Sequence, residues 1–407
     1  MAAMTTPSRW TKLAAPPADP ILGMKAAFLE DTAPDKINLS VGAYRDDDGA
    51  PWVLPPVAEA RRRIVGPYLE HEYLPTEGLA AFNALSQGLL YGDRERDHAA
   101  CTVQALSGTG ALRLCLEFLR RHYDGPRTIV GPAVTWSNHW NVMADAGWSD
   151  ARKYRYLKDD GLTLDFGGLC EDLETAPDGA VVLLHLCAHN PSGVDPSREQ
   201  WKTLADLVER KKLFPLFDSA YLGFATGDVN EDAWPFRHFL DRGLAPWACV
   251  SFSKNFGLYS ERTGAVHATV ESADAGKRVV GNLKRVARAL WSNPPAFGAR
   301  VVAQVLGDKV LRADWERCLR VMSSRIVDMR AALKAKLDAK TAGRDWSHIT
   351  SQIGMFSYTG LSKVEVAVLR NDHHIYMLDS GRVSMAGINT NNVEQLASAI
   401  AAVLNAK

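Results

Sequence analysis

The chain has 407 residues, of which 46% are hydrophobic and 23% charged, and its 47 Lys and Arg residues balance 47 Asp and Glu residues. This composition is that of a folded globular protein, and the length favours two domains over a single core. A formal net charge of zero excludes recruitment of nucleic acid or an anionic membrane through a global electrostatic field.

The cysteines and the N-terminus indicate the compartment. Six scattered cysteines without a C-x-x-C pair are predicted to be reduced rather than disulfide-bonded. No apolar run approaches the roughly 20 residues of a membrane span, and the N-terminus lacks the apolar core of a secretory signal peptide. We therefore expect a soluble cytoplasmic protein, with the mitochondrial matrix as an open alternative.

The first 20 residues are predicted to form an extended arm, because four prolines prevent a continuous helix. From about residue 100, apolar runs alternate with amphipathic ones, which we predict as helices. The apolar runs predicted as buried strands are 102–108, 128–132, 180–190, 213–221 and 245–254. Continuous apolar strands separated by amphipathic helices indicate an α/β fold, with a mostly parallel sheet flanked by helices.

After residue 308 the pattern predicts one long helix, or two in tandem, as far as residue 340. Its apolar residues near one face are Leu311, Trp315, Leu319, Met322, Ile326, Met329, Leu333 and Leu337. A strand pair around 354–360 and 380–385 and a final helix over 393–406 follow. These elements favour a second, smaller α+β domain.

The predicted domain organisation combines both ends of the chain. We expect an N-terminal arm over residues 1–17 and a large domain over residues 49–310. The small domain is predicted to consist of residues 18–48 and 311–407, and the long helix enters it from the large domain.

Polar clusters follow four predicted strands, and ligands in open α/β sheets collect beyond the carboxyl ends of strands. The clusters are Ser107-Gly108-Thr109-Gly110, Asn190-Pro191-Ser192-Gly193, Asp218 with Tyr221, and Lys254 with Arg262. In the first cluster, hydroxyl and backbone N–H groups at a helix start suit a phosphate, although a simple capped turn is the alternative. The spacing matches neither a Walker A loop nor the dinucleotide G-x-G-x-x-G motif.

Two of these residues suggest cofactor chemistry. Lys254 is either a snorkelling lysine at the sheet rim or a Schiff-base lysine whose pKa is lowered by desolvation and by Arg262. Asp218 is either a helix N-cap or the partner of a pyridinium nitrogen. A lysine for an aldehyde, an aspartate for a ring nitrogen and a phosphate site together specify pyridoxal 5′-phosphate (PLP).

Motifs along the chain resemble those of the aspartate aminotransferase family and occur in the family's order. They are ADPILGMKAAF (18–28), INLSVGAYRDDDG (37–49), EYLPTEGLAAF (72–82), SGTGALR (107–113), HNPSGVDP (189–196), FDSAYLGFATGD (217–228), SFSKNFGLYSERTG (251–264) and SGRVSMAGIN (380–389). The resemblance implies the PLP-dependent transferase fold type I and a homodimer with active sites at the subunit interface. It also implies that the arm over residues 1–17 reaches the partner subunit.

The resemblance implies catalytic roles for Lys254, Asp218 and Tyr221, and a supporting contact from His139 to Asp218. The implied cofactor-binding residues are Ser107, Gly108, Thr109, Trp136, Asn190, Asp218, Tyr221, Ser251, Lys254 and Arg262, with Tyr73 of the partner subunit. Lys254 would bond to the cofactor's aldehyde and, once displaced by the substrate amine, act as the general base.

The resemblance also implies the substrate contacts, and no metal is assigned. Arg382 would clamp the α-carboxylate, a task for a rigid bidentate fork. Arg288 would come from the partner subunit and bind the side-chain carboxylate. Without the resemblance, Arg288 would be a basic residue on a solvated helix face. Gly42, Trp136 and Asn190 would complete the substrate site.

The implied reaction is reversible, PLP-dependent amino transfer from L-aspartate to 2-oxoglutarate. It gives oxaloacetate and L-glutamate by a ping-pong mechanism, so the partners are small dicarboxylic amino and keto acids. Some positions depart from the family pattern. Ser40 replaces a usual glycine, and Val134 replaces a usual proline, which predicts a trans peptide there. Leu290, Trp291 and Phe297 replace more polar or different aromatic residues near Arg288 and keep an aromatic amino acid aminotransferase as the alternative.

Two hypotheses from other classes were compared with this one. Ser251 to Lys254 fits the S-x-x-K motif of serine acyl-enzymes, but no S-D-N motif follows. This hypothesis predicts acylation of Ser251, whereas an aminotransferase has a borohydride-reducible imine at Lys254. A catalytically inactive relative that serves as a binding module is the third hypothesis, and the chemically competent residues at every core position argue against it.

Overall fold

The computed structural model describes residues 10, 13–14, 20–66, 70–96 and 99–406, so most of the predicted arm over residues 1–17 lies outside the described residues. The helices are α1 (Pro20–Glu30), α2 (Pro55–Ile64), α3 (Ala80–Tyr91), α4 (Ser107–His122), α5 (Asn138–Asp145), α6 (Phe166–Glu174), α7 (Arg198–Arg210), α8 (Val229–Asp232), α9 (Trp234–Asp241), α10 (Ala273–Leu290), α11 (Ala296–Gly307), α12 (Lys309–Lys340), α13 (Ser347–Ser351), α14 (Lys363–His373) and α15 (Val393–Asn405). The strands are β1 (Ile37–Asn38), β2 (Ala100–Leu106), β3 (Thr128–Pro132), β4 (Asp150–Tyr154), β5 (Val181–His185), β6 (Phe214–Ser219), β7 (Trp247–Ser251), β8 (Thr263–Thr269), β9 (Phe356–Tyr358), β10 (Ile375–Tyr376) and β11 (Arg382–Ser384).

A seven-stranded sheet in the order β2-β8-β7-β6-β5-β3-β4 forms the centre of the molecule. Every pair is parallel except the two pairs that β8 makes with β2 and β7. Alternate residues of β5 enter different apolar clusters: Val182 and Leu184 pack in one, Val181 and Leu183 in the other. Because successive side chains of a strand point to opposite faces, both faces of the sheet are buried, which confirms the predicted α/β fold.

The sequence prediction of a long helix is confirmed as the single helix α12, and all eight residues of its predicted apolar face are buried. Near its start, the Trp315 indole donates to the carbonyl oxygen of Asn255 at 2.7 Å, one residue beyond Lys254. The helix therefore packs directly against the segment that carries the lysine.

Two short strand pairs lie outside the central sheet. The strand pair that the sequence predicts is present as β9 and β11, which run antiparallel, and β1 pairs parallel with β10 and so joins the two ends of the chain. One prediction was wrong in detail: residues 107–110 do not precede α4 but form its first turn, with Ser107 at a φ of 61°. None of the helices in the described part of the chain has the length and apolar character needed to cross a membrane.

Candidate active site

A cavity of about 280 Å³ opens at the carboxyl ends of β5, β6 and β7. The sequence-predicted residues that line it are Gly42, Ser107, Gly108, Thr109, Trp136, Asn190, Asp218, Tyr221, Ser251, Lys254, Arg262 and Arg382. Since these residues come from seven separate segments of the chain, the fold brings distant parts of the sequence together at one site. Six further residues line the cavity and were not predicted from the sequence: Ile21, Val41, Leu112, Ala220, Ser253 and Phe356.

Three serine hydroxyls meet at one end of the cavity, at the N-terminus of α4. The hydroxyl of Ser107 lies 2.9 Å from that of Ser251 and 2.8 Å from that of Ser253. Arg262 Nη1 reaches Ser253 Oγ at 3.4 Å. A Cβ on Gly108 would lie 3.2 Å from the Ser251 Cβ, so only a small residue fits there. Hydroxyls, a guanidinium and free N–H groups at a helix start are the donor set that phosphate requires.

Lys254 follows β7 and lines the cavity, where it is half-buried. Its Nζ lies 5.0 Å from the ring centroid of Tyr259. Burial, and then the charges of Arg262 and Arg382, lower the pKa of Lys254 to about 8. An amine that loses its proton near neutral pH can serve as a nucleophile or base.

This pKa predicts a labelling curve for the cofactor-free protein. Exposed lysines titrate at about 10.4, whereas the reactive, neutral amine of Lys254 should appear as the pH rises through about 8. Labelling with an amine-specific reagent, followed by quantitative peptide mass spectrometry, measures the midpoint. Arg262→Gln removes a nearby cation and should move that midpoint upward. A wild-type midpoint near that of exposed lysines would contradict the prediction.

Asp218, at the end of β6, is held by a chain of buried polar groups. His139 Nε2 lies 2.9 Å from Asp218 Oδ2, and His139 Nδ1 lies 2.8 Å from Thr135 Oγ1. Thr135 Oγ1 in turn lies 2.8 Å from His185 Nε2. Burial raises the pKa of Asp218, but the hydrogen bond and charge of His139 and the charge of His185 outweigh it and lower the pKa. The carboxylate is therefore ionised and suited to a protonated ring nitrogen.

Asn190 and Tyr221 face each other across the cavity wall. Asn190 Nδ2 lies 3.4 Å from the Tyr221 hydroxyl, and burial raises the pKa of that hydroxyl. The buried Asn190 Oδ1 has no hydrogen-bond partner among the described residues. Leaving such a group unpaired costs about 1–3 kcal/mol. A bound polar ring could supply the missing partners, so this wall fits a PLP ring.

Arg382 also lines the cavity and is 3% exposed. Its guanidinium carbon lies 4.3 Å from the ring centroid of Phe356, and Nη2 donates to the carbonyl oxygen of Ser40. Within the described chain, its Nε has no hydrogen-bond partner. Burial lowers the pKa of Arg382 to about 10, so the group remains charged at neutral pH. A charged, stacked fork with a spare donor fits a carboxylate.

Two predicted residues lie outside the cavity of their own chain. The Tyr73 side chain is 82% exposed. Arg288 is exposed near the end of α10, where its Nη1 donates to Ser292 Oγ at 2.8 Å.

The departures from the family pattern leave the cavity intact. The peptide before Val134 is trans as predicted, and Asn190–Pro191 is the cis peptide of the described residues. Leu290, Trp291 and Phe297 are half-buried in the packing of their own chain and do not line the cavity.

Comparisons with known proteins show a family match over most of the chain. The family model for aminotransferase class I and II matches residues 34–400. The cytoplasmic aspartate aminotransferase of Dictyostelium discoideum is 46% identical over 386 residues, 94% of this chain and 87% of that protein. The mitochondrial aspartate aminotransferase of the same organism is 44% identical over 402 residues, 98% of this chain and 94% of that protein.

A solved structure shows the same fold with the cofactor present. It is an aromatic-amino-acid aminotransferase from Burkholderia pseudomallei, covalently bound to pyridoxal phosphate, with 39% identity and a TM-score of 0.94. The match covers 98% of this chain and all of that one. This chain belongs to the class I and II aminotransferases.

Proposed function

We propose that this protein is an aspartate aminotransferase that uses PLP to move an amino group between L-aspartate and 2-oxoglutarate. The observation that carries the proposal is the convergence of Lys254, Asp218 and Arg382 on one cavity. A half-buried lysine with a lowered pKa, an ionised aspartate and a charged arginine are the groups that this reaction needs. The identity to aspartate aminotransferases over nearly the whole chain supports the substrate.

The polar groups that line the cavity fit both the phosphate and the ring of PLP. Ser107, Ser251, Ser253 and Arg262, with the backbone of α4, would hold its phosphate. When bound, PLP supplies an electron-withdrawing ring that takes up the electrons released as the α-proton leaves. Further cofactor contacts are proposed for Gly108, Thr109, Trp136, Asn190 and Tyr221. Tyr73 of the partner subunit is proposed to add one more.

Each catalytic residue has a role that follows from its surroundings. Lys254 would take the α-proton at Nζ, because its lowered pKa leaves a neutral amine available near neutral pH. Asp218 would keep a proton on the ring nitrogen, since a buried carboxylate stabilises the adjacent positive charge. Arg382 would orient the substrate through its α-carboxylate, and Gly42 would contact the substrate through its backbone.

We propose that the protein is a homodimer in which Tyr73 and Arg288 of each subunit serve the partner's site. Both side chains are exposed in their own chain, and neither lines its cavity. Residues 18–48 and 311–407 are proposed as the small domain, and residues 49–310 as the large one. The pairing of β1 with β10, which joins both ends of the chain, supports this division.

Arg288→Asp should lower kcat/KM for aspartate by about two to three powers of ten, because a buried charge pair is lost and a repulsive one replaces it. Steady-state kinetics with aspartate and with phenylalanine measure the effect. The kcat/KM for phenylalanine should fall much less than that for aspartate. Arg285→Asp is the matched control, since Arg285 is also exposed on α10. Wild-type aspartate kinetics in Arg288→Asp would overturn the assignment.

A mixture of Lys254→Ala and Arg288→Asp subunits tests the homodimer. If each site draws Lys254 and Arg288 from different subunits, one site in every hybrid dimer contains both native residues. An equal mixture should then recover activity in about a quarter of its sites. No recovery after subunit exchange would show that the two residues do not meet across an interface.

The decisive experiment is a half-reaction on PLP-loaded protein with excess L-aspartate and no keto acid. The proposal expects the absorbance band of the bound cofactor to shift to that of its amine form, and 2-oxoglutarate to restore it. Absence of any cofactor band would overturn PLP binding, and a stable band that no amino acid changes would indicate an inactive binding module. With the family established, the acyl-enzyme hypothesis for Ser251 has no remaining support.

The second candidate is an aromatic amino acid aminotransferase. It is favoured by the apolar residues Leu290 and Trp291 beside Arg288 and by the close fold match to an aromatic-amino-acid aminotransferase. A cofactor band that ignores aspartate but shifts with phenylalanine would select this candidate.

We propose a cytoplasmic location, with the mitochondrial matrix as the alternative. The match to a cytoplasmic relative supports it, and a mitochondrial relative matches almost equally well. Fractionation of the source cells, with aminotransferase activity assayed in each fraction, decides between them.

A further inference from the structure

Arg330 is a buried cation on α12 whose partners are all carbonyl oxygens. It is 2% exposed. Nη1 donates to Ile349 O at 2.8 Å, and Nη2 donates to Gly354 O at 2.9 Å and to Phe356 O at 2.6 Å. Burial lowers the pKa of Arg330 to about 9, so the side chain is charged at neutral pH. Burying a charge is costly, which implies that this side chain does more than fill space.

The three carbonyls belong to residues 349–356, the turn that runs from the last residues of α13 to the first residue of β9 and leads into the cavity wall. The turn packs against the loop that follows Asn190. The Ile353 N–H donates to Gly193 O at 2.7 Å, and a Cβ on Gly193 would lie 2.5 Å from the carbonyl oxygen of Phe356. The backbone here has almost no spare room, so a shift of the turn would move the wall.

Phe356 is the end of this turn that faces the substrate site. Its ring lies 4.3 Å from the guanidinium carbon of Arg382, while Ser40 O accepts a hydrogen bond from Arg382. A Cβ on Gly42 would lie 2.5 Å from Phe356 Cζ, so the ring also touches the segment beside Ser40. The plane of the Arg382 fork is therefore set between the Phe356 ring and the Ser40 carbonyl.

We propose that Arg330 is a positioning residue for the α-carboxylate of the substrate. It fixes the carbonyls of residues 349–356, these fix the ring of Phe356, and the ring fixes the fork of Arg382. The planar guanidinium holds the three carbonyls from two nitrogens at a fixed spacing, whereas a lysine ammonium has all its donors on one nitrogen at the end of a flexible stem. The inference rests on the proposed function only in taking Arg382 as the carboxylate clamp.

Arg330→Met and Arg330→Lys test the proposal in the PLP-loaded enzyme. We expect KM to rise about 10- to 100-fold for every substrate, because misplacement of a clamp by about 1 Å can cost that much. The kcat and the absorbance band of the bound cofactor should change little. The ratio of kcat/KM for aspartate to kcat/KM for phenylalanine should stay as in the wild type, since both substrates carry the α-carboxylate. Arg320→Met, an exposed arginine on α12, is the matched control.

A double-mutant cycle with Phe356→Leu separates positioning from general destabilisation. If Arg330 acts through Phe356, Arg330→Met should cost far less in kcat/KM when Phe356 is already leucine. Fully additive effects, or an unchanged KM in a folded variant, would overturn the proposal. If Arg330→Met does not fold, Arg330→Lys carries the same two outcomes.

The outcome is independent of which amino acid the enzyme prefers. If aspartate is not a substrate, the proposed function fails. The role of Arg330 is then measured with whichever amino acid shifts the cofactor band, because every such substrate presents an α-carboxylate.

Discussion

Lys254→Ala should lower kcat by at least about 10⁴-fold, because it removes the general base of the proposed reaction together with the attachment point of the cofactor. The half-reaction with L-aspartate measures the effect in a single turnover, and steady-state assays measure kcat. Lys254→Arg keeps a positive charge but supplies no neutral amine near pH 8, so it should be about equally inactive. Lys277→Ala, on the exposed face of α10, should be unaffected and is the control.

The loss of kcat in Lys254→Ala supports the role of Lys254 as the general base only if the variant remains folded. Lys254→Ala should keep the thermal stability of the wild type or exceed it, since burial disfavours the ammonium form of this lysine. A folded Lys254→Ala variant that turns over within about tenfold of the wild type would contradict the proposed base.

Asp218→Asn should lower kcat by about two to four powers of ten. Removing one member of a buried charge pair typically costs about 3–5 kcal/mol. Here the change removes the charge that would hold a proton on the cofactor ring, and it leaves His139 without its carboxylate partner. Single-turnover rates with L-aspartate measure the loss.

Two further variants locate the origin of that effect. Asp218→Glu keeps the charge and should lose less activity than Asp218→Asn. His139→Asn removes the hydrogen bond to Asp218 but leaves the carboxylate in place, so it too should lose less. If Asp218→Asn and His139→Asn lowered kcat by equally small factors, the carboxylate would not act on the ring nitrogen.

The sheet could be predicted where strands are apolar over nearly their whole length, as in β5, whose residues 181–184 are all apolar. β8 escaped prediction although each of its residues is buried. His267 interrupts its apolar pattern, and the ring of this histidine lies 3.0 Å from Ser86 Oγ and 2.8 Å from Thr102 Oγ1. Periodicity in a sequence reports which residues are buried, but it contains no record of such distant polar partners. The antiparallel direction of β8 is equally absent from local patterns.

The candidate site was predictable in two ways. Lys254 and Asp218 could be inferred from their positions after apolar strands, whereas the substrate contacts Arg382 and Arg288 rested on resemblance to a family. Ser253 was missed because it lies in the turn after β7, where strand alternation no longer predicts which way a side chain faces. Its position between Ser251 and Lys254 was the available signal. Phe356 was missed because its role depends on stacking against Arg382, a contact that only the folded chain creates.

The pairing of β1 with β10 has a consequence for synthesis of the chain. Ile37 and Ile375 are partners, so about 340 further residues must be synthesised after the first strand before its partner strand is present. At about 5–20 residues per second, a ribosome needs roughly 20 to 70 seconds to supply them. The strand that carries Asp218 and the segment after β7 that carries Lys254 emerge well before that point. The Ser40 carbonyl, which accepts from Arg382, can reach its place only when translation is nearly finished. A nascent chain therefore contains the cofactor contacts proposed for its own subunit first, and the proposed substrate contact Arg382 last.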